Sequence, residues 1–131
     1  MEVLLSIKPK YVRRIIAGQK KYEFRKSVFK KEEVREIVVY SSSPEKKIIG
    51  TFQIGGILEE TPEKIWDLCK NEAGIDRGEF FAYFKEKPLA YALQIQNFTK
   101  FPQPIDPYKI NPDFKPPQSY CYFNLSDFQG I

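Results

Sequence analysis

The sequence contains no histidine, and this absence limits the available chemistry more than any other feature of its 131 residues. It excludes Ser-His and Cys-His catalytic pairs, histidine zinc ligands and an imidazole base near neutral pH. Any catalysis must therefore use lysine, carboxylates, tyrosine, serine, threonine, cysteine or a hard metal held by carboxylates.

Cysteine is also scarce, because Cys69 and Cys121 are the only two in the chain. They lie far apart and form no C-x-x-C pair, so neither a zinc site nor a disulfide framework is expected. We expect both thiols to be buried as small apolar side chains. We expect no metal site and no cofactor.

Long apolar runs are missing as well. No stretch approaches the ~20 residues that a membrane-spanning helix needs. The first residues carry no basic segment ahead of the apolar run at 3–7, so they predict a strand and not a signal peptide. We therefore expect a cytoplasmic protein without membrane contact.

What the sequence does contain is an uneven distribution of its net charge of +4. Residues 1–35 hold eleven basic and four acidic residues, whereas residues 36–86 hold six basic and ten acidic residues. A basic first third is the footprint expected of a protein that binds a polyanion. Charge alone does not decide this, since many basic proteins bind no nucleic acid.

The hydrophobic pattern predicts an α+β fold. Eleven Phe and eight Tyr favour strands over a helical bundle. Strands are predicted over residues 2–7, from Tyr22, and over 36–40, 47–58, 89–100 and 119–124; helices are predicted after Pro9, Pro62 and Asp76. Six of the ten prolines lie in residues 101–118, which predicts an irregular loop there. We expect a single domain over residues 1–125 with a fraying tail over 126–131, arranged as a small mixed barrel of about six strands with two or three flanking helices.

One stretch, residues 15–26, combines a helix end with the start of a strand. Gly18 is placed where a helix ends in a left-handed turn. Alternation then puts aromatic residues on one strand face and charged residues on the other: Tyr22 and Phe24 against Lys21, Glu23 and Arg25. Composition favours a solvated face with a weak ion pair. The alternative is a polar site beside the core.

This stretch contains the motif Gly18-x-Lys20-x-x-Glu23-x-Arg25. Further matching stretches are Leu5–Pro9, Tyr40–Pro44, Ile49-Gly50, Trp66, Tyr91-Ala92 and Pro116–Tyr120. Together they resemble the ASCH domain of the PUA-like superfamily of small β-barrels, over roughly residues 3–123. The resemblance implies a barrel with a cleft beside the first helix. It implies RNA as the partner. DNA is a second candidate, and the sequence identifies no protein partner.

The resemblance also implies that Lys20, Glu23 and Arg25 lie in the cleft. Arg25 offers a planar, bidentate contact to a phosphate or a base edge, and Glu23 can orient it or accept from an exocyclic amine. We expect Ser41, Gln118 and Ser119 to lie near these residues. We also expect the basic side of the first helix to hold phosphates through Lys10, Arg13 and Arg14.

Three functions remain open. The first is an RNA-binding module of the ASCH type, with a regulatory role in transcription or translation. The second is a small hydrolase of a modified nucleoside or RNA, since the resemblance includes amidohydrolase and ribonuclease branches; its candidates are Lys20, Glu23 and Glu72. In the amidohydrolase branch a threonine stands where this chain has Glu23. The third is a binder of a small polar ligand in the cleft.

Overall fold

The computed structural model describes residues 1–31 and 33–129, which form an α+β fold around one six-stranded mixed sheet. The strands are β1 (Glu2–Ile7), β2 (Tyr22–Arg25), β3 (Glu36–Ser41), β4 (Lys47–Glu60), β5 (Ala90–Ile105) and β6 (Tyr120–Phe123). The helices are α1 (Pro9–Ile16), α2 (Pro62–Cys69), α3 (Arg77–Tyr83) and the single turn α4 (Pro107–Ile110). Short 3-10 turns cover Lys70–Glu72 and Leu125–Phe128. The predicted α+β class is confirmed. No helix within the described residues is long and apolar enough to cross a membrane.

The sheet is open, not hydrogen-bonded into the expected barrel. Its strand order is β2-β5-β4-β3-β1-β6, with β1 and β3 parallel and all other neighbours antiparallel. The edge strands β2 and β6 do not pair with each other in the part of the chain that the structure describes. Instead, side-chain bonds to backbone atoms connect β2 and the segment after it to β6 and the residue just before it. Arg25 at the end of β2 donates to the carbonyl oxygen of Ser119, and the Tyr122 hydroxyl accepts from the backbone N–H groups of Lys30 and Lys31, each at 3.2 Å.

The centre of the sheet is apolar on both faces. Ile37, Val38 and Val39 of β3 are fully buried, as their β-branched run predicts. Val39 belongs to a cluster beneath α1, while Val38 belongs to a second cluster near β6. A third cluster joins α2 and α3 to β2 and contains Phe24 and Phe80. The helices are therefore anchored mainly by burial of their apolar faces.

The proline-rich stretch differs from its prediction. Strand β5 continues to Ile105 through Pro102 and Pro104, although a loop was expected from residue 101. In the described sheet, Lys100 pairs with Gly50 and Ile105 pairs with Ile48, with no pair to β4 between them. Proline fits this gap because it has no N–H to contribute to a ladder.

The end of the chain also differs from the expected fraying tail. Leu125 is buried, and the Phe128 ring stacks on Phe123 with centroids 4.8 Å apart. These contacts hold residues 125–128 against β6. Residues 130 and 131 of the predicted tail lie outside the described residues, as does residue 32. The division into one domain ending at residue 125 stays a prediction.

Candidate functional site

A cavity of about 550 Å³ opens between α1, β2 and α3, and we call it the cleft. Its lining comes from four parts of the chain. These are the end of β1 with the start of α1, strand β2 with Lys20 just before it, helix α3 with Ile75 just before it, and the segment before β6. The lining residues are Ser6, Ile7, Lys8, Tyr11, Lys20, Glu23, Phe24, Arg25, Ile75, Glu79, Ala82, Tyr83 and Gln118. The three charged residues of the motif therefore all face one opening; they are Lys20, Glu23 and Arg25.

Lys20 is the most deeply buried charged residue of the cleft, with 3% of its surface exposed. Its Nζ donates to the carbonyl oxygen of Ala73 at 3.0 Å and lies 4.7 Å from the centroid of the Phe24 ring. Burial lowers the pKa of Lys20; the Glu23 carboxylate opposes this shift, and Arg14 adds to it. The Lys20 amine is therefore easier to deprotonate than an exposed lysine.

Gly74 makes the position of Lys20 sterically feasible. Its φ is +63°, a left-handed conformation that favours glycine. A Cβ at this position would lie 2.4 Å from the Cβ of Lys20. Gly18, which ends α1 as predicted with φ +78°, differs because a Cβ there would meet nothing within 4 Å. The two glycines therefore serve different purposes, a turn in one case and a close approach in the other.

Glu23 and Arg25 occupy alternate positions of β2 and form a buried ion pair. They are 6% and 9% exposed, and Arg25 Nη1 lies 3.2 Å from Glu23 Oε2. Arg25 also donates to the carbonyl oxygens of Ser6 and Ser119, the former at 3.4 Å. The solvated strand face that composition favours is therefore wrong, because β1, α3 and the segment before β6 cover this face of β2.

Glu79 of α3 is a cleft residue that the sequence analysis missed. Its Oε2 accepts hydrogen bonds from Lys10 Nζ at 2.7 Å and from the Tyr11 hydroxyl at 2.5 Å. These two bonds lower the pKa of Glu79 to about 2. Burial and the bond to Glu79 raise the pKa of Tyr11 well above its usual range. An acidic residue in a first helical turn is ordinarily explained by the helix dipole, so the sequence offers little signal for this role.

The remaining predicted site residues separate into two groups. Gln118 lines the cleft, and Ser119 contributes its carbonyl oxygen to Arg25. Ser41 does not line the cleft, because it is buried in its own turn with its Oγ 2.9 Å from Glu45 Oε1. Glu72 is exposed and also lies outside the cleft lining, although its carbonyl oxygen accepts from the N–H of Lys21 at 2.9 Å.

The expected basic face of α1 is only partly available. Lys10 pairs with Glu79, and Arg14 donates to the carbonyl oxygen of Gly74 at 2.9 Å. Arg13 is exposed. Two of the three cations therefore tie α1 to the α3 side of the cleft and do not simply project into solvent.

The cleft offers donors and acceptors together. Lys20 and Arg25 supply N–H donors, while the carboxylates of Glu23 and Glu79 supply acceptors. The Ser6 hydroxyl is buried beside them and has no hydrogen-bond partner within the described residues. Such a mixture suits a ligand with both kinds of polar group better than a simple anion.

The fold is that of an ASCH domain, and the resemblance seen in the sequence is confirmed. The crystal structure of ASCH from Zymomonas mobilis matches with a TM-score of 0.86 and 24% identity, over 96% of this chain and 90% of that chain. The ASCH domain-containing ribonuclease of the same species is 25% identical over 136 residues, covering 99% of this chain and 89% of that protein.

The family assignment is more specific than the fold. Residues 1–112 match the family described as Domain of unknown function (DUF365), and the chain belongs to that family. A further match is to the large ribosomal subunit protein uL22 of Ureaplasma parvum, 30% identical over 78 residues. That match covers 60% of this chain and 25% of the ribosomal protein.

Proposed function

We propose that this chain binds RNA in the cleft lined by Lys20, Glu23 and Arg25. The observation that carries the proposal is the burial of these three charged side chains around one opening. Stability does not require such a cluster, because apolar residues of similar volume are often at least as stabilising as a buried ion pair. The similarity to a protein named ASCH domain-containing ribonuclease supports RNA as the partner class.

The geometry supports a specific role for Arg25. Its bonds to Glu23, Ser6 and Ser119 hold the guanidinium in one orientation. A guanidinium has five N–H donors in a planar fork, so those left over can reach a phosphate or the edge of a base. Exposed cations at the rim, such as Lys8 and Lys26, are suited to the neighbouring phosphates.

Fluorescence anisotropy with short labelled single-stranded and duplex RNA tests the proposal, at about 50 and about 200 mM salt. We expect binding that weakens with salt, and an affinity roughly 10-fold or more lower for Arg25→Gln. The charge-matched control is Lys109→Gln, because Lys109 is exposed on α4 and lines no part of the cleft. DNA of the same sequence shows whether the 2′-hydroxyl contributes.

Arg25 also bridges β2 and β6, so its variant needs a thermal melt to show that it folds. Lys8→Gln provides a second test at the rim, where no bridging bond is lost, and a smaller loss of affinity is expected. Folded variants that bind as tightly as the unchanged chain would rule out the cleft. If no RNA binds at all, the small polar ligand becomes the better hypothesis.

RNA hydrolysis is the second candidate, favoured by a buried lysine with a lowered pKa facing two carboxylates. A deprotonated Lys20 would be able to accept a proton from an attacking hydroxyl. Of the carboxylates, Glu23 and Glu79 are the candidates in the cleft, and Glu72 is not. We expect Lys20→Met to abolish cleavage of labelled RNA while the protein stays folded. Cleavage that persists in this variant would point to a contaminating nuclease, and binding without turnover would favour the regulatory role.

A further inference from the structure

A second cavity of about 450 Å³ lies between the β2–β3 connection and a bend in β4, and we call it the seam groove. Phe29 and Val34 form part of its floor and are only 8% and 3% exposed. Lys30, Lys31 and Arg35 line its rim and are all exposed. The groove therefore has a closed apolar floor and a basic edge.

The groove exists because β3 begins late. Glu36, the first residue of β3, pairs with Gln53, so β4 has no β3 neighbour beyond that point in the described sheet. One residue further along β4, the N–H of Ile54 donates to the carbonyl oxygen of Arg35 at 2.9 Å. Gly55 and Gly56 follow and line the groove. The opening is therefore a built feature of the sheet.

The segment after β2 connects the cleft to the seam groove. Lys26 Nζ lies 4.5 Å from the centroid of the Tyr83 ring, which lines the cleft. Further along, the N–H groups of Lys30 and Lys31 are fixed on the Tyr122 hydroxyl, and Lys31 Nζ lies 4.6 Å from the centroid of the Tyr122 ring. The basic rim is thus held against β6 by both backbone and side chain.

The same short stretch of chain, residues 119–122, contacts residues that line both cavities. Ser119 accepts from Arg25 at the cleft, and Tyr122 accepts from the N–H groups of Lys30 and Lys31, which line the seam groove. Ser119 and Tyr122 are three positions apart, and three residues of extended chain span ~10 Å.

We propose that an RNA strand leaving the cleft continues across the β2–β3 connection into the seam groove, where Lys30 and Lys31 hold its phosphates. The inference rests on the proposed RNA binding and extends it from one pocket to a track. Neither lysine takes part in an ion pair within residues 1–31 and 33–129. RNA fits the rim because Lys30 and Lys31 match its phosphates. Ile57 of the lining is 42% exposed, so an acidic peptide is the alternative that the competition experiment below distinguishes.

A series of single-stranded RNA oligonucleotides of increasing length tests this track, using the whole chain. We compare the unchanged protein, the double variant Lys30→Gln/Lys31→Gln and the control Lys100→Gln/Lys109→Gln. The control removes the same charge from two exposed lysines that line neither cavity. A thermal melt confirms that each variant is folded.

We expect the affinity of the unchanged protein to rise with length until the strand reaches the groove. The double variant should bind the shortest RNA normally and gain less with length. Two phosphate contacts on a single strand contribute about 1.4 to the slope of log K against log salt, and the double variant should lose this amount. The control variant should keep the length dependence.

Three results would overturn the inference. If the unchanged protein binds RNA and the double variant equals the control at every length, the track is wrong and the cleft proposal stands. If poly-glutamate competes for the groove as well as RNA does, the surface is an unspecific site for polyanions. If no RNA binds the unchanged protein, the proposed function fails and the track fails with it.

Discussion

Strand β2 separates two buried regions that are stabilised by different forces. On one side Phe24, which also borders the cleft, joins the cluster of Phe80 and Ile65, where apolar residues from α2 and α3 fill the space. On the other side Glu23 and Arg25 face the cleft and are held by an ion pair and carbonyl oxygens. Both regions are buried. Burial alone stabilises the apolar region, whereas buried charged groups must also be paired and hydrogen-bonded.

The difference shows how an apolar core can support a site whose burial of charged side chains costs free energy. A buried charge cluster contributes little net stability, because desolvation offsets the attraction between its members. The aromatic cluster holds β2 and α3 in place, so the cleft does not have to. The following predictions test this division, starting with the largest effect.

Phe80→Ala should be the most damaging substitution. Phe80 is fully buried, and its ring centroid lies 5.1 Å from those of Phe24 and Trp66 and 4.9 Å from that of Phe84. Its truncation should lower the free energy of unfolding by about 3–5 kcal/mol. Urea denaturation measures this. If Phe80→Ala lowers the free energy of unfolding less than a folded Arg25→Gln variant does, the charged cluster, and not the aromatic cluster, is the main support of β2.

Gly74→Ala should cost more than Gly18→Ala, although both glycines have positive φ. At Gly18 only the backbone is strained, which corresponds to about 1–2 kcal/mol. At Gly74 the same strain is joined by a clash with the Cβ of Lys20. Urea denaturation of both variants measures the difference, and RNA binding should weaken only in Gly74→Ala. Equal losses of stability and equal binding would show that Lys20 is not held by this close approach.

Glu79→Gln should have the smallest effect, visible as a change in pH dependence. The pKa of Glu79 is lowered to about 2 by its bonds from Lys10 and Tyr11, against 4.5 for an ordinary glutamate. As the pH falls, the Glu79 carboxylate is therefore protonated at a higher pH in the unfolded chain than in the folded protein. This carboxylate stabilises the fold fully above about pH 4.5, and the stabilisation is lost as the pH falls through 2. The difference in urea midpoint between the unchanged protein and Glu79→Gln should shrink from pH 6 to pH 2.5. A constant difference would contradict a stabilising role for the bonds from Lys10 and Tyr11 to Glu79.

Local patterns predicted most elements because they depend on neighbouring residues. The strand at 36–40, with its β-branched run at 37–39, and the turn at Gly18 each appear where expected. Thr61 accepts from the N–H of Lys64 at 3.3 Å, as its position before Pro62 predicts. The continuation of β5 through two prolines was missed, since it depends on a gap in pairing with β4 that composition does not reveal.

The candidate site could be predicted only in part. The motif identified Lys20, Glu23 and Arg25, and the resemblance placed them in one cleft, while Glu72 and Ser41 were assigned to the site and do not line the cleft. Glu79 was absent from every pattern, because its partners are 68 and 69 residues away in sequence.

What could be known from the chain alone is therefore local or motif-based: the alternation of β2, the helix ends, the lack of imidazole chemistry and the likeness to an ASCH domain. Periodicity, backbone preference and composition are properties of neighbouring residues, so they can be recognised without knowing the tertiary structure. Tertiary structure decided which charged residues are buried, which carboxylate meets α1, and that side chains and not backbone pairing join β2 to β6. These outcomes depend on what covers a residue, and that covering comes from segments far away in the sequence.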